Sequence, residues 1–120
     1  MPNNRVNKTI AGYHLLMLLS AVDRKFFADE DSVIRAYLVQ EFPMAVDLDK
    51  QMEIISGLVP DEWELHFRKM MDDFYDDSTE EERNNLLQFA IELTKADNVI
   101  TKEENYYLNL LFDLWKPDEA

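Results

Sequence analysis

Apolar residues recur at helical spacing along almost the whole chain. Over about residues 8–22 they cover most of a helix circumference, a pattern typical of a helix buried on all sides. After Pro60 they form a single stripe at i, i+4, i+7, i+8 and i+11. The members of this stripe are Trp63, Phe67, Met70, Met71 and Phe74. The first pattern predicts a central helix, and the second predicts an amphipathic helix with one face on the core.

Similar stripes predict the core-facing positions of four further helices. They are Val33, Ile34, Tyr37 and Leu38; Leu48, Met52, Ile55 and Val59; Leu86, Leu87, Ala90, Ile91 and Leu93; and Tyr107, Leu110, Leu111 and Leu114. We expect the first and fifth helices to lie at the centre of the bundle.

Start and stop signals divide the chain into six helices. The expected helices cover about 8–22, 29–41 and 47–56, and then begin at Pro60, near Ser78 or Thr79, and at Thr101. Gly57 follows the third helix, where a left-handed residue is common. Pro60 suits a first helical turn. Thr79 and Thr101 each have a Glu three residues later, which predicts a capping box at both helix starts.

The composition favours an all-α, single-domain fold. With 2 Gly and 4 Pro in 120 residues, the chain has too few turn residues for a β-sandwich or barrel. Hydrophobic residues make up 47% of the chain, which is enough for a core, and no linker or low-complexity segment divides it. We therefore expect one helical domain over residues 1–120, with its core at about 8–116.

The chain is strongly acidic, with a formal net charge of −13. Such a charge argues against a nucleic-acid binder, which needs a basic footprint, and against docking on an anionic membrane. The charge is uneven: residues 61–120 hold 17 acidic and 6 basic residues, and residues 1–60 hold 8 and 6. The second half of the chain is therefore suited to a protein partner with a basic surface.

The acidic residues concentrate at the expected junction of the fourth and fifth helices. Asp72, Asp73, Asp76 and Asp77 lie near a helix C-terminus, where the helix dipole disfavours negative charge. Most acidic runs of this kind are only solvated helix ends, and the alternative is a bound cation or a basic partner at that end of the helix.

The chain contains no Cys, which excludes disulfides, thiolate metal sites and Cys nucleophiles. The longest apolar run, residues 15–19, is far shorter than the roughly 20 residues of a membrane helix. The first residues, Met-Pro-Asn-Asn-Arg, lack the order of a signal peptide. We expect a cytoplasmic protein with no membrane insertion.

No motif in the chain indicates an enzyme. His14 and His66 are the only histidines, and neither completes the Glu-x-x-His motif of a di-iron bundle. A nucleophile elbow, a Gly-rich phosphate loop and a His-Glu-x-x-His motif are also missing. We expect His14 to be hydrogen-bonded within the packed first helix, and His66 to lie at the surface.

An internal repeat relates the first and last helix pairs at an offset of 74 residues. The matched positions are Leu19 and Leu93, Asp23 and Asp97, Phe26 and Ile100, and Glu30 and Glu104. Each copy consists of an apolar helix, a loop that opens with Asp, and a helix with an acidic start. The pattern predicts two pseudo-symmetric helical hairpins bridged by the third and fourth helices.

The motif Ala/Val-Asp-x-x-apolar-x-x-x-Glu resembles that of the TerB-like (tellurite-resistance B) family, which carries two copies in one all-helical domain. The copy at residues 96–104 matches well, with Asn98 in the usual Gly position, which Asn tolerates. The first copy departs more, with Arg24 at the Gly position and Phe27 at the Ser position. The resemblance covers about residues 10–115.

The resemblance implies a non-enzymatic module linked to stress or tellurite resistance, whose paired acidic loops bind a divalent cation. Carried onto this chain, the ligands would be Asp23 and Glu30 from one loop and Asp97 and Glu104 from the other. Glu103 and Asp31 are second candidates. Because all these ligands are oxygen atoms, the cation would be hard: Ca²⁺, Mg²⁺ or Mn²⁺.

Two alternatives to metal binding stay open. Asp97 can order its turn and Glu104 can complete the capping box of Thr101, so that both residues are structural. A true EF-hand is disfavoured, because its register would place Leu93 and Lys95 where carboxylates are needed. The alternative function is a metal-free acidic adaptor that docks a basic protein partner.

Overall fold

The computed structural model describes residues 7–21, 28–42, 47–95 and 102–115. Within these ranges the chain forms six helices and contains no strand, which confirms the all-α prediction. The helices are α1 (Lys8–Ala21), α2 (Ala28–Glu41), α3 (Leu48–Ser56), α4 (Pro60–Asp77), α5 (Glu80–Lys95) and α6 (Lys102–Leu114).

Helix α1 is the centre of the bundle. Its residues 11–19 are all buried, and it contacts each of the other five helices. A helix in this position has no solvent face, which explains why its sequence is apolar around the whole circumference. The prediction of a central first helix is therefore confirmed.

The expectation that α5 shares the centre is wrong, because α4 takes that place. Helix α4 makes the most extensive contact with α1, whereas α5 packs mainly on α1 and α6. The reason lies in side-chain size: the buried stripe of α4 contains Phe67, Met70 and Phe74. The buried stripe of α5 consists of the smaller residues Leu86, Leu87 and Ala90, and therefore fills less of the core.

Aromatic stacking closes the core around α4. The ring of Phe74 stacks on Trp115 at 5.1 Å and meets Phe42 edge to face at 6.0 Å. Near the middle of the helix, Phe67 makes an edge contact with Tyr107 at 4.8 Å. The ends of α2 and α6 are thus both held against α4 by aromatic residues.

Three residues of the predicted stripes are exposed instead of buried. They are Val33, Val59 and Leu114. Val33 lies beside the narrow buried edge of α2 that Ile34 and Leu38 form. Val59 precedes α4 as its N-cap, and Leu114 is the last residue of α6, so both occupy helix ends where the chain leaves the core.

The capping signals are largely confirmed. Thr79 N donates to Glu82 Oε1 (2.9 Å) and Glu82 N donates to Thr79 Oγ1 (3.1 Å), which is the predicted capping box. Pro60 is the first residue of α4 as expected. The capping box predicted at Thr101 lies outside the described residues. Gly57 ends α3 as predicted, but with φ −83°, so it is right-handed and the left-handed expectation is wrong.

The helix bounds agree with the internal repeat. The same 74-residue offset separates the helix ends Ala21 and Lys95, and the helix starts Ala28 and Lys102. Two contacts join residues at this offset: Lys8 Nζ lies 2.8 Å from Glu82 Oε2, and Gly12 lies against Leu86. Contacts between equivalent positions are those that two-fold-related hairpins make at their axis. They also show that α1 and α5 run in the same direction where they meet.

In the described part of the chain, no helix is both long and apolar enough to cross a membrane.

Gly12 and Gly57 form a matched pair for testing how tightly the bundle closes on α1. A Cβ at Gly12 would lie 3.3 Å from Leu38, Phe74 and Leu86, which belong to three different helices. We expect Gly12→Ala to destabilise the fold by about 1 kcal/mol, because overpacking outweighs the gain in helix propensity.

At Gly57 a Cβ would make only ordinary contacts, the nearest at 3.6 Å, and φ suits any residue. We therefore expect Gly57→Ala to stabilise by about 0.4–1 kcal/mol. Urea unfolding of both variants checks the pair. Equal effects on the free energy of unfolding would show that Gly12 is not a close-packing position.

Candidate functional site

Most of the predicted cation ligands fall on parts of the chain that the structure does not describe. Asp23 and Asp97 lie outside the described residues. Glu30 lies in the first turn of α2, but its side chain and that of Asp31 are also outside them. Of the four predicted ligands, Glu104 is the one whose side chain is described.

Glu104 is buried, with 6% of its surface exposed, whereas the neighbouring Glu103 points to solvent. It shares a helix face with Leu108 and Leu111, which are also buried. A carboxylate in the first turn of α6 is stabilised by the helix dipole. Among the described residues, no group of three or more His, Asp or Glu is arranged to hold a metal ion. The loop ligand set therefore stays a prediction.

The acidic junction of α4 and α5 is partly neutralised by the protein itself. Lys69 Nζ lies 2.8 Å from Oδ2 of the buried Asp73. The backbone N–H of Lys8 donates to Asp77 Oδ2 at 3.0 Å, and the side-chain ammonium group of Lys8 binds Glu82. Two of the four aspartates that the sequence assigned to a partner are therefore occupied by lysines of this chain.

Arg83 supplies a further positive charge at the C-terminus of α4. Its Nη1 donates to the carbonyl oxygens of Tyr75 (3.1 Å) and Ser78 (2.8 Å), and its guanidinium lies 4.0 Å from the ring centroid of Tyr75. A cation at this position complements the helix dipole. The mismatch inferred from the sequence is thus offset within the fold.

The same network lowers the pKa of Glu82. Burial alone would raise the pKa of this carboxyl, but the hydrogen bonds that it accepts from Lys8 and Thr79 outweigh burial. Glu82 is therefore a structural group that ties the start of α1 to the start of α5.

An open groove runs between α4 and α6, and we call it the α4–α6 groove. Its lining residues are Arg68, Met71, Asp72, Leu110, Asp113 and Leu114, around a volume of about 470 Å³. It continues along α4 into a recess of about 380 Å³, where Tyr75 and Asp76 join the lining. The lining positions of each helix are spaced three or four residues apart, so each helix contributes one face.

The groove combines an apolar floor with a carboxylate rim. Met71, Leu110 and Leu114 supply apolar surface, and Leu114 is 44% exposed. Asp72 and Asp113 stand at the solvent-exposed rim. The positive charge of Arg68 is held by Glu64, whose Oε2 lies 3.0 Å from Nη2. The groove therefore offers acceptors and apolar contact to a cationic, amphipathic ligand.

A pair of histidines joins α1 to α4 on another side of the core. His14 Nδ1 lies 2.7 Å from His66 Nε2, and His14 Nε2 lies 2.8 Å from Gln51 Oε1. The prediction that His14 is hydrogen-bonded in the core is confirmed. The prediction that His66 lies at the surface is wrong, because His66 is half-buried against His14. Its neighbours in α4, Leu65 and Phe67, give no sign of a polar partner, and only tertiary packing reveals the pair.

Both rings of the pair are neutral at pH 7. With a proton on His14 Nε2 facing Gln51, the hydrogen-bond pattern leaves His14 Nδ1 to accept from His66 Nε2–H. Burial lowers the pKa of His14 from 6.5 to about 4, with smaller contributions from His66 and Lys69. Burial and the charge of Lys69 also lower the pKa of His66. The pair is thus a buried polar bridge that favours neutral over charged imidazole.

Comparison with known proteins identifies no relative. No family model, no curated protein and no solved structure matches the chain. The TerB-like resemblance therefore stays a prediction that depends on the two motifs and their 74-residue offset.

The histidine pair predicts a loss of stability in mild acid. The unfolded chain protonates His14 near pH 6.5, and the folded protein does so only near pH 4, so the stabilisation is present above 6.5 and is lost as the pH falls toward 4. We expect this residue to reduce the free energy of unfolding by about 2 kcal/mol between pH 7.5 and pH 5.

Urea unfolding of the wild type and of His14→Gln at the two pH values measures this effect. The variant should lose about 2 kcal/mol less than the wild type on acidification. Charge repulsion among the many carboxylates changes equally in both proteins and therefore cancels in the comparison. An identical loss in both proteins would show that His14 does not titrate differently in the two states.

Proposed function

We propose that this protein is a non-enzymatic adaptor whose α4–α6 groove binds a basic, amphipathic segment of a protein partner. The observation that supports the proposal most strongly is the placement of Asp72 and Asp113 at the rim of an apolar floor, in which Met71 is buried and Leu114 is exposed. These two carboxylates flank Met71, Leu110 and Leu114.

The lining of the groove separates docking acids from structural ones. Asp73 and Asp77 are engaged by Lys69 and by the N–H of Lys8, so their removal would disturb the fold. Asp72, Asp76 and Asp113 are exposed and line the groove or its extension. The adaptor hypothesis is therefore assigned to this second set, which we call the groove acids.

A helical segment with one apolar face suits the shape and chemistry of the groove. Apolar side chains at i and i+3 or i+4 would contact the floor, and flanking Lys or Arg residues would meet the groove acids. The net charge of −11 in residues 61–120 would speed the approach of such a segment. Association should accordingly weaken as salt is added.

A synthetic helical peptide of Leu and Lys, with Leu on one face, tests this proposal. We expect it to bind the wild type, and to bind Asp72→Asn/Asp76→Asn/Asp113→Asn at least about tenfold more weakly, since each exposed ion pair contributes up to about 1 kcal/mol. Fluorescence anisotropy at two salt concentrations gives both the affinity and its salt dependence.

The matched control is Asp49→Asn/Glu53→Gln/Glu92→Gln, which removes three carboxylates from exposed positions on α3 and α5. It changes the net charge by the same amount and should bind with nearly wild-type affinity. A scrambled peptide of the same composition, which lacks an apolar face, should bind weakly. Equal losses in the two triple variants would contradict a groove-specific site and indicate diffuse attraction.

We also propose, as a second candidate from the TerB-like resemblance, that the loops after α1 and α5 bind Ca²⁺, Mg²⁺ or Mn²⁺. Two observations favour it. Glu104 keeps its carboxylate within the buried face of α6. Helices α1 and α5 also run in the same direction where they meet, so their last residues, Ala21 and Lys95, lie toward the same end of the bundle.

Thermal melts of EDTA-treated protein test the cation proposal at fixed ionic strength. A site filled at 100 times its Kd should add about 2.7 kcal/mol to the stability of the wild type, which raises its melting temperature by roughly 8–16 °C. Asp97→Ala should abolish the shift, whereas Glu92→Gln on the exposed side of α5 should retain it. Unchanged melting temperatures with all three cations would contradict the proposal and leave the loop acids as structural groups.

A further inference from the structure

The outer face of α4 carries the most exposed large apolar side chain in the described part of the chain. Leu65 is 76% exposed, although it lies within the longest helix. It belongs to a stripe of residues spaced three or four apart along α4, on the side away from α1. We call this the outer stripe; its members are Asp61, Glu62, Leu65, Arg68 and Lys69.

The charges of the outer stripe are arranged symmetrically about Leu65. Asp61 and Glu62 lie four and three residues before it, and Arg68 and Lys69 lie three and four residues after it. All four charged residues are exposed. A helix face with this order of charges is complementary to the same face of a second, antiparallel helix. The basic half of each helix then lies against the acidic half of the other.

We propose that the outer stripe is a docking surface for a second copy of this chain, with the two α4 helices antiparallel about a two-fold axis at Leu65. Asp61 then faces Arg68 of the second copy, Glu62 faces Lys69, and each of these pairs occurs twice, because residues seven apart lie on the same side of the contact line. The same patch serves both copies, as a two-fold interface requires.

The surface beside Leu65 has room for the leucine of the second copy. An open groove of about 510 Å³ lies there, and residues of the outer stripe, with Leu58, His66 and Asp72, line it. Leu65 of each copy would enter the groove of the other, as a knob enters a hole between packed helices. This contact removes from water the most exposed apolar side chain that the structure describes.

Local charge balance distinguishes this face from the rest of the protein. The chain as a whole has a net charge of −13, which repels a second copy at most orientations. The four charged residues of the outer stripe sum to zero and Asp72 beside them adds a single negative charge, so this face approaches itself with less of that penalty. The electrostatics therefore select this orientation over others.

Existing ion pairs on the stripe do not prevent the contact. Arg68 binds Glu64 at 3.0 Å across an exposed i,i+4 pair, which is weak because solvent screens it. Lys69 binds Asp73 at 2.8 Å but remains substantially exposed. Glu62 accepts from Val59 N through Oε1 at 3.2 Å, and a second oxygen of this carboxylate is available as an acceptor.

Sedimentation equilibrium over about 10 µM to about 1 mM tests the proposal, because a contact through one helix face is small and its dimer weak. We expect reversible dimerisation of the wild type, and at least a tenfold rise of Kd in Leu65→Asp, where two buried carboxylates would face each other. The matched control is Val39→Asp on α2, a change at another exposed apolar residue (63% exposed), which should dimerise normally.

A charge-swap pair identifies the orientation. Asp61→Arg places an arginine against Arg68 of the second copy, and Arg68→Glu places a glutamate against Asp61, so each variant alone should dimerise far more weakly than the wild type. An equimolar mixture should form a heterodimer, since every cross-contact is then attractive. Recovery on mixing also shows that both variants are folded. Arg68 also lines the α4–α6 groove, but Asp61 does not, so peptide binding by Asp61→Arg separates this result from the peptide experiment.

Three results would overturn the proposal. They are a wild type that stays monomeric across the concentration range, a dimer that Leu65→Asp leaves unchanged, and swap variants that do not associate when mixed. A wild type that is monomeric but binds the Leu/Lys peptide through Leu65 would likewise replace the second copy with another occupant.

Discussion

The burial of α1 on every side is the constraint that shapes the rest of this protein. Because residues 11–19 have no contact with solvent, five helices must fit around a single one, and each must be able to approach it closely. Gly12 makes this possible at the point where α2, α4 and α5 converge. The pseudo-symmetric contact between Gly12 and Leu86 lies at the same point, so close packing and the internal repeat depend on one position.

Because α1 is buried on every side, the groups that can meet a partner lie on the surrounding helices. The buried polar bridge of His14, His66 and Gln51 joins three helices and is held neutral, which suits a structural role. Charge therefore concentrates on α4, α5 and α6, whose outer faces are free of the core. Helix α4 takes part in both proposed surfaces, with Asp72 at the α4–α6 groove and Leu65 on its outer face.

Helix periodicity predicted much of this architecture, because the period of apolar residues reports burial directly. The stripe containing Phe67 and Phe74 and the all-round pattern of α1 were both correct. Leu114 and His66 were misplaced for a physical reason: a stripe indicates which face turns inward, but not where a neighbouring helix stops covering it. Ion pairs between distant residues, such as Lys8 with Glu82, depend on tertiary contacts that no local pattern encodes.

The most direct test of the docking account is an NMR titration of ¹⁵N-labelled protein with the Leu/Lys peptide, followed by mapping of the shifted amide signals. If the peptide binds in the α4–α6 groove, the largest chemical-shift changes should cluster at 68–76 and 110–114, on the two walls of the groove, while the amide signals of α1 change little. Changes spread over the acidic residues of α3 and α5 as strongly as over the groove would contradict it. They would show that the protein attracts cations through its overall charge and has no docking site between α4 and α6.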